Sequence, residues 1–235
     1  MAQQKKVLVF GSSGQDGSLL CNSLIRKNYS VIGISRYSIE ASKNHHLLGI
    51  EKDLQIKVCN LIDFQNLRKI IMNENPDEIY NLAAQSSVGK SFTNPRETIE
   101  SIVTGTFNIL EACKQIKFQG KLFFAGSSEI FGNTEVAADI NHRQSPKSPY
   151  GIAKQTSLNL VKMYREIHNL KCNTGILFNH ESTLRGENFV TQKIISGAVE
   201  CYKNRTHILQ LGNLNIYRDW GWAEEYVEAM QLMTM

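Results

Sequence analysis

The stretch Val7-Leu8-Val9-Phe10-Gly11-Ser12-Ser13-Gly14-Gln15-Asp16-Gly17 decides the fold. Four apolar residues read as a buried strand, three glycines spaced three apart follow, and the next residues open a helix. Glycines at that spacing let the backbone turn tightly and approach a pyrophosphate, whose charge is favoured by the free N–H groups and dipole of the helix N-terminus. Three glycines alone would be read better as a plain loop. The strand, turn and helix context selects dinucleotide binding, with Gly11, Ser12, Ser13, Gly14, Gln15 and Asp16 as candidate contacts.

Outward from this turn, short runs rich in Val, Ile and Phe alternate with longer amphipathic stretches. The pattern predicts strands near 6–10, 30–35, 55–59, 78–82, 121–127 and 172–179, and helices near 16–27, 63–74, 95–117 and 149–169. That alternation is the mark of βαβ units, so the expected class is α/β with a doubly wound parallel sheet. Beyond about residue 180 the rhythm changes. A loop with Arg185-Gly186, a helix near 190–203, a short strand near 207–210 and a helix from about 224 are expected there. The organisation anticipated is a cofactor domain over 1–180 and a small, incomplete C-terminal substrate-binding portion over 181–235, interleaved with it.

Length and composition agree with such a chain. Its 235 residues, 42% hydrophobic and 20% charged, exclude a disordered or fibrous protein. The net charge of +4 is spread out, with no basic block, so no nucleic-acid footprint is indicated. The cysteines Cys21, Cys59, Cys113, Cys172 and Cys201 are scattered, odd in number and without C-x-x-C spacing. They suggest neither a disulfide framework nor a metal site, and most read as buried small hydrophobes. Residues 1–6 run directly into the first strand, leaving no room for a cleavable leader, and no apolar run approaches the ~20 residues of a membrane span. A cytoplasmic protein without membrane association is the expectation.

Two further signals bear on chemistry. The second strand ends beside Arg36, where NAD-specific folds place an Asp or Glu to accept from the ribose 2′-hydroxyl. A guanidinium pairs with a 2′-phosphate instead, favouring NADP over NAD; a solvated surface Arg is the plainer alternative. Asn60 and Leu61, at the end of the third strand, fall where such folds set a side chain against adenine. The second signal is Tyr150-Gly-Ile-Ala-Lys154, just after Ser148-Pro149 at a helix start. Spacing of i, i+4 puts both side chains on one face, where the ammonium would lower the phenol pKa from about 10 toward acid/base use. Upstream, Ser127-Ser128-Glu129 sits at the carboxyl end of the fifth strand, where open α/β sheets carry their chemistry. Ser127 is a candidate to hydrogen-bond a sugar hydroxyl and Glu129 to remove a proton from carbon; polar capping of the following turn and a solvated loop charge are the plainer alternatives, which the neighbouring Tyr150 and Lys154 weigh against.

These motifs together resemble the extended short-chain dehydrogenase/reductase superfamily and, within it, the GDP-mannose 4,6-dehydratases. The resemblance rests on Gly-x-x-Gly-Gln-Asp-Gly, on Tyr80-Asn81-Leu82-Ala83-Ala84-Gln85-Ser86, and on Ser148-Pro149-Tyr150 with Lys154. More specific are Leu177-Phe178-Asn179-His180-Glu181-Ser182, Arg185-Gly186-Glu187-Asn188-Phe189-Val190-Thr191 with Lys193, and Leu211-Gly212-Asn213-Leu214 followed by Arg218-Asp219-Trp220-Gly221. The resemblance implies a Rossmann domain, NADP as cofactor, a GDP-sugar substrate and a homodimer or homotetramer. It implies oxidation of the sugar at C4, elimination of water across C5 and C6, and return of the hydride to C6. By the same resemblance Tyr150 takes the C4-hydroxyl proton, Glu129 abstracts at C5, Ser127 assists and Lys154 holds the nicotinamide ribose. Leu82, Ala83, Ala84, Gln85, Ser86, His180 and Arg185 would contact the cofactor. Ser86, Asn179, Val190, Lys193 and Arg218 would meet the GDP-sugar.

Departures from the family's pattern are Ser127 for Thr, Asn60 for Asp, Glu97 for a cofactor-contacting Tyr, Thr183-Leu184 before Arg185, and Arg36-Tyr37 in place of two arginines. They leave room for a lower NADP affinity and for a sugar other than mannose. Relatives also continue well past Tyr226-Val227-Glu228-Ala229-Met230. Two other readings therefore stay open: a GDP-4-keto-sugar reductase or epimerase on the same scaffold, and a catalytically inactive NADP-binding fragment.

Overall fold

The structure, a computed structural model, describes residues 4–38, 40 and 42–235; Met1 to Gln3, part of the stretch read as excluding a leader, lie outside them. Strands β1 (Lys6–Phe10), β2 (Ser30–Ser35), β3 (Gln55–Val58), β4 (Glu78–Asn81), β5 (Lys121–Ala125) and β6 (Cys172–Gly175) form one parallel sheet. Their spatial order is β3-β2-β1-β4-β5-β6. The chain thus winds outward from β1 in one direction and, after β3, returns to start again at β4. This is the doubly wound Rossmann arrangement.

Alternation along the strands sorts the core into two layers. Leu8, Phe10, Ile32, Ile34, Ile79, Leu122 and Phe124 face helices α3 (Phe64–Glu74), α6 (Gly105–Gln115) and α7 (Pro149–His168). Val7, Val9, Val31, Tyr80, Phe123 and Ala125 face α1 (Gln15–Arg26) and α9 (Ala223–Leu232). Four cysteines, Cys21, Cys59, Cys113 and Cys172, are buried in these layers as small apolar residues, and Cys201 is half-exposed.

Differences from the sequence-based expectation have local causes. Two six-residue helices, α2 (Lys43–Leu48) and α4 (Val88–Thr93), are too short to leave a periodic signal; the Ser42 and Ser87 side chains cap them. The span expected as one helix over 95–117 is α5 (Pro95–Ile99), a π-helical turn over Glu100–Thr104, and α6. The Ser157 hydroxyl of α7 donates to the Ile102 carbonyl of that turn at 3.2 Å. The strand expected over 172–179 is two strands: after β6 the chain leaves the main sheet, and β7 (Asn179–Glu181) pairs in parallel with β8 (Trp220–Trp222). No strand forms near 207–210, where the backbone is exposed and irregular. The helix expected near 190–203 is α8 (Val190–Lys203).

Residues far apart in sequence close the lower edge of the sheet. The Tyr80 hydroxyl lies 3.0 Å from the Glu78 carboxylate and 2.6 Å from the Thr234 hydroxyl, all three side chains buried. The Lys27 ammonium donates to Gln231 at 2.6 Å, and the Asn173 amide donates to the Met233 carbonyl at 2.8 Å. Removing the phenolic oxygen would leave a buried carboxylate oxygen and a buried hydroxyl short of a partner. Tyr80→Phe is therefore expected to lower the unfolding free energy by about 1–3 kcal/mol, measured by urea denaturation; an unchanged midpoint would mean that water replaces the phenol.

Candidate active site

A cleft of about 340 Å³ opens where the strand order reverses, at the carboxyl ends of β1 and β4. Phe10, Gly11, Gly14 and Gly17 form its floor, Leu82 to Ala84 one wall, and Ser35 to Tyr37 with Cys59 to Ile62 the far end. The glycines are there for space. Gly11 has φ +82°, and a Cβ on it would lie 2.8 Å from the Ala83 nitrogen. A Cβ on Gly17 would lie 2.1 Å from the Gly11 carbonyl, so α1 starts this close to the turn only because residue 17 has no side chain. Gly14 caps α1 and meets nothing closer than 3.5 Å, leaving the space above the helix N-terminus open to the cleft. That cradle suits a diphosphate.

Of the residues the sequence assigns to cofactor contact, Gly11, Ser13, Gly14, Gln15, Asp16, Arg36, Asn60, Leu61, Leu82, Ala83, Ala84, Ser86 and Arg185 line the cleft. Ser12 does not. It is fully buried, and its carbonyl binds the Ser18 hydroxyl at 2.9 Å and His45 Nε2 at 2.8 Å. Gln85 turns its amide to the Ser87 carbonyl and the Thr98 hydroxyl, holding the loop after β4. Glu97, Glu100 and Ser101 also reach the cleft wall.

Next to the cleft, β5 runs into Gly126 and the Ser127-Ser128-Glu129 turn. The first turn of α7 lies against it. A Cβ on Gly151 would sit 2.7 Å from the Glu129 carbonyl, and the Ser148 hydroxyl caps the helix by accepting from the Gly151 N–H at 3.0 Å. This contact brings Tyr150 to Ser127 and Glu129. Burial pushes the Tyr150 phenol up to about 12; Ser127 beside it pulls the other way and the Glu129 carboxylate raises it further. Lys154 is also buried. Burial pushes its ammonium down to about 8, against the attraction of Asp16. Its Nζ donates to the Ala125 carbonyl at 2.6 Å and lies 5.6 Å from the Tyr150 ring centre. The lowered phenol expected from Y-x-x-x-K spacing is therefore not what the protein alone shows. Desolvation outweighs a lysine whose own hydrogen bond goes to the end of β5.

A second group ties the phosphate turn to β7. His180 Nε2 lies 2.9 Å from the Asp16 carboxylate and Nδ1 lies 2.6 Å from the Phe178 carbonyl. Its ring stacks on Tyr226 at 4.2 Å. Burial, the largest single effect, favours neutral His180, but the Asp16 carboxylate and the Phe178 carbonyl together hold the imidazole above its ordinary value. Asp16 itself is lowered: burial, the largest single effect, raises it, but the hydrogen bond and charge of His180, with Gln15 and Arg185, together outweigh burial. Gln15 completes the tie, donating to the His180 carbonyl at 3.2 Å and accepting from the Ser182 hydroxyl at 3.0 Å. Tyr226 was not legible as a site neighbour, since its partner is 46 positions away. The Arg185 guanidinium lies over the Phe189 ring at 3.8 Å and pairs with Glu181 at 3.0 Å. Among the residues assigned to the GDP-sugar, Asn179 is half-buried in β7, whereas Ser86, Val190, Lys193 and Arg218 are exposed.

Known proteins share both sequence and architecture. The profile of the family described as GDP-mannose 4,6 dehydratase matches residues 8–235. A GDP-mannose 4,6 dehydratase of Drosophila melanogaster is 39% identical, aligned over 99% of this chain and 61% of its own length. One from Homo sapiens is 40% identical, over 96% of this chain and 63% of its own. The chain thus spans less than two thirds of the length of these curated relatives. Among solved structures, a UDP-N-acetylglucosamine 4-epimerase from Methanobrevibacter ruminantium, in complex with UDP-N-acetylmuramic acid, superposes with a TM-score of 0.85 at 25% identity, over 99% of this chain and 73% of that one.

The buried lysine predicts a pH signature. Its folded value lies below the unfolded one, so between about 8 and 10.5 the unfolded chain binds more protons and the burial penalty fades as pH rises. The stability of Lys154→Met relative to the unchanged chain is expected to be greatest below pH 8 and to fall by up to about 1.4 kcal/mol per pH unit above it. Urea unfolding at several pH values reads this, and a constant difference would show that Lys154 keeps an ordinary pKa.

Proposed function

This chain belongs to the GDP-mannose 4,6 dehydratase family, and we propose that it holds NADP⁺ in the cleft and dehydrates a GDP-linked hexose to the 4-keto-6-deoxy sugar. The observation that carries the proposal is the packing of α7 against the turn after β5, which collects Ser127, Glu129, Tyr150 and Lys154 beside the cleft. The glycine cradle at the start of α1 is open for the pyrophosphate, and Arg36 at the end of β2 supports a 2′-phosphate. In this reading residues 1–180 hold the cofactor and 181–235 contribute to the sugar side.

When bound, the nicotinamide supplies reversible hydride transfer, from C4 at the start of the reaction and to C6 at its end. The protein handles the protons. Tyr150 accepts the proton of the C4 hydroxyl, and Ser127 hydrogen-bonds the oxygen that becomes the ketone. Once C4 is a ketone the C5 proton is acidified, so the Glu129 carboxylate suffices to remove it and, as the acid so formed, hands that proton to the C6 hydroxyl, which leaves as water; the proton Tyr150 took from the C4 hydroxyl balances the one C5 regains when hydride returns to C6. The cationic Lys154 beside Tyr150 favours the phenolate that forms transiently. The Asp16–His180 pair keeps β7 against the phosphate turn and so fixes the sugar side relative to the cofactor.

One observation favours a binding-only alternative: Val190, Lys193 and Arg218 stand exposed. The assay that separates the readings is incubation of the 235-residue chain with GDP-mannose and catalytic NADP⁺, following the 4-keto product. Product without net consumption of NADPH, reduced by about a hundredfold or more in Glu129→Gln, is the expected outcome. In a parallel incubation with NADPH and a GDP-4-keto sugar, stoichiometric NADPH oxidation would point to a keto-sugar reductase, and cofactor binding with no turnover of any GDP-sugar to a binding protein.

A further inference from the structure

The far end of the cleft carries a second charge next to Arg36. The Glu97 carboxylate lies 3.8 Å from the Arg36 guanidinium, and both side chains line the cleft with Asn60 and Ile62. They come from different elements. Arg36 follows β2, its guanidinium 5.0 Å from the Tyr37 ring centre, whereas Glu97 stands in the first turn of α5, a helix begun by Pro95. Glu100 lines the same wall, but its carboxylate is engaged by Arg96 of its own helical segment at 3.0 Å. At the other end of the cleft Arg185 is paired with Glu181 and Asp16 with His180. Among the described residues lining the cleft, Arg36 is the cation at this end, and Glu97 faces it.

We propose that Glu97 is a specificity-determining residue for the nicotinamide cofactor, its carboxylate neutralising Arg36 so that the cleft discriminates weakly between a ribose 2′-phosphate and a 2′-hydroxyl. The proposal rests on the cofactor part of the reading above. A 2′-phosphate would bring between one and two negative charges, which Arg36 attracts and Glu97, 3.8 Å from that guanidinium, repels. A 2′-hydroxyl brings none and is able to donate to the carboxylate, the contact by which NAD-specific folds hold the ribose. The pair is half-exposed, so solvent limits its strength to the range of surface ion pairs, within reach of a binding measurement.

The test is the dissociation constant of the full chain for NADP⁺ and for NAD⁺, by isothermal titration calorimetry at low salt. The unchanged chain should bind the two within about tenfold of each other. Glu97→Gln keeps size and hydrogen-bonding capacity but removes the charge, and should tighten NADP⁺ by about fivefold while leaving NAD⁺ unchanged or weaker. Arg36→Gln combined with Glu97→Gln should abolish that gain, and about 0.5 M NaCl should shrink it. NAD⁺ binding by each variant reports that the cleft is intact. Affinities for both cofactors that move together on Glu97→Gln, or do not move, would overturn the role of Glu97 while leaving the cofactor reading in place. Failure of the unchanged chain to bind either cofactor would overturn both.

Discussion

The contact between residue 17 and the Gly11 carbonyl is the constraint from which the site is built. Any side chain at 17 would occupy the volume of that carbonyl, so the first turn of α1 is set directly under the end of β1. Its free N–H groups then point into the crevice where the sheet changes direction. The same closeness places Gln15 and Asp16 under β7, where they bind the His180 carbonyl, the Ser182 hydroxyl and the His180 ring. A turn shaped to receive a diphosphate is thereby also the anchor of the segment that leaves the main sheet after β6.

A second close approach sets the catalytic wall. Gly151 lets α7 touch the turn after β5, which draws Tyr150 and Lys154 out of solvent together. Burial then acts on them with opposite sign, raising the phenol and lowering the ammonium, because both lose the hydration of their charged forms. Around neutral pH the phenol is thereby held uncharged, while the ammonium, lowered to about 8, keeps most of its charge but releases its proton more readily than an exposed lysine. The electrostatics of the cleft follow the same economy: Asp16 faces His180 and Arg36 faces Glu97, each from another element, and Arg185 faces Glu181 at the end of β7, four residues before it.

The architecture was legible because its determinants are local. Val7 to Phe10 and the strands that follow alternate with helices long enough for the crossovers, and the resulting order was reproduced with boundaries shifted by a residue or two. Where it was not, the reason is visible. Six residues make less than two helical turns, so α2 and α4 carry no period to detect. The π turn inside 95–117 is one turn of altered hydrogen-bond register, too local for a hydrophobic period to mark, and Ser157 of α7 donates to the Ile102 carbonyl within it. The pairing of 179–181 with 220–222 is a contact across about forty residues, of which neither three-residue strand gives notice.

The amino-acid sequence by itself determined the fold class, the phosphate turn, the Tyr150 and Lys154 pair on one helix face and the position of Arg36 at the end of β2. All of these depend on spacing within one element or on the order of elements. Tertiary structure alone decided the protonation tendencies of Tyr150 and Lys154, the burial of Ser12 away from the cleft, the stacking of Tyr226 on His180 and the meeting of Arg36 with Glu97. Desolvation and Coulomb interactions depend on what surrounds a group in three dimensions, and that surrounding is assembled from segments whose separation along the chain carries no record of their distance in space.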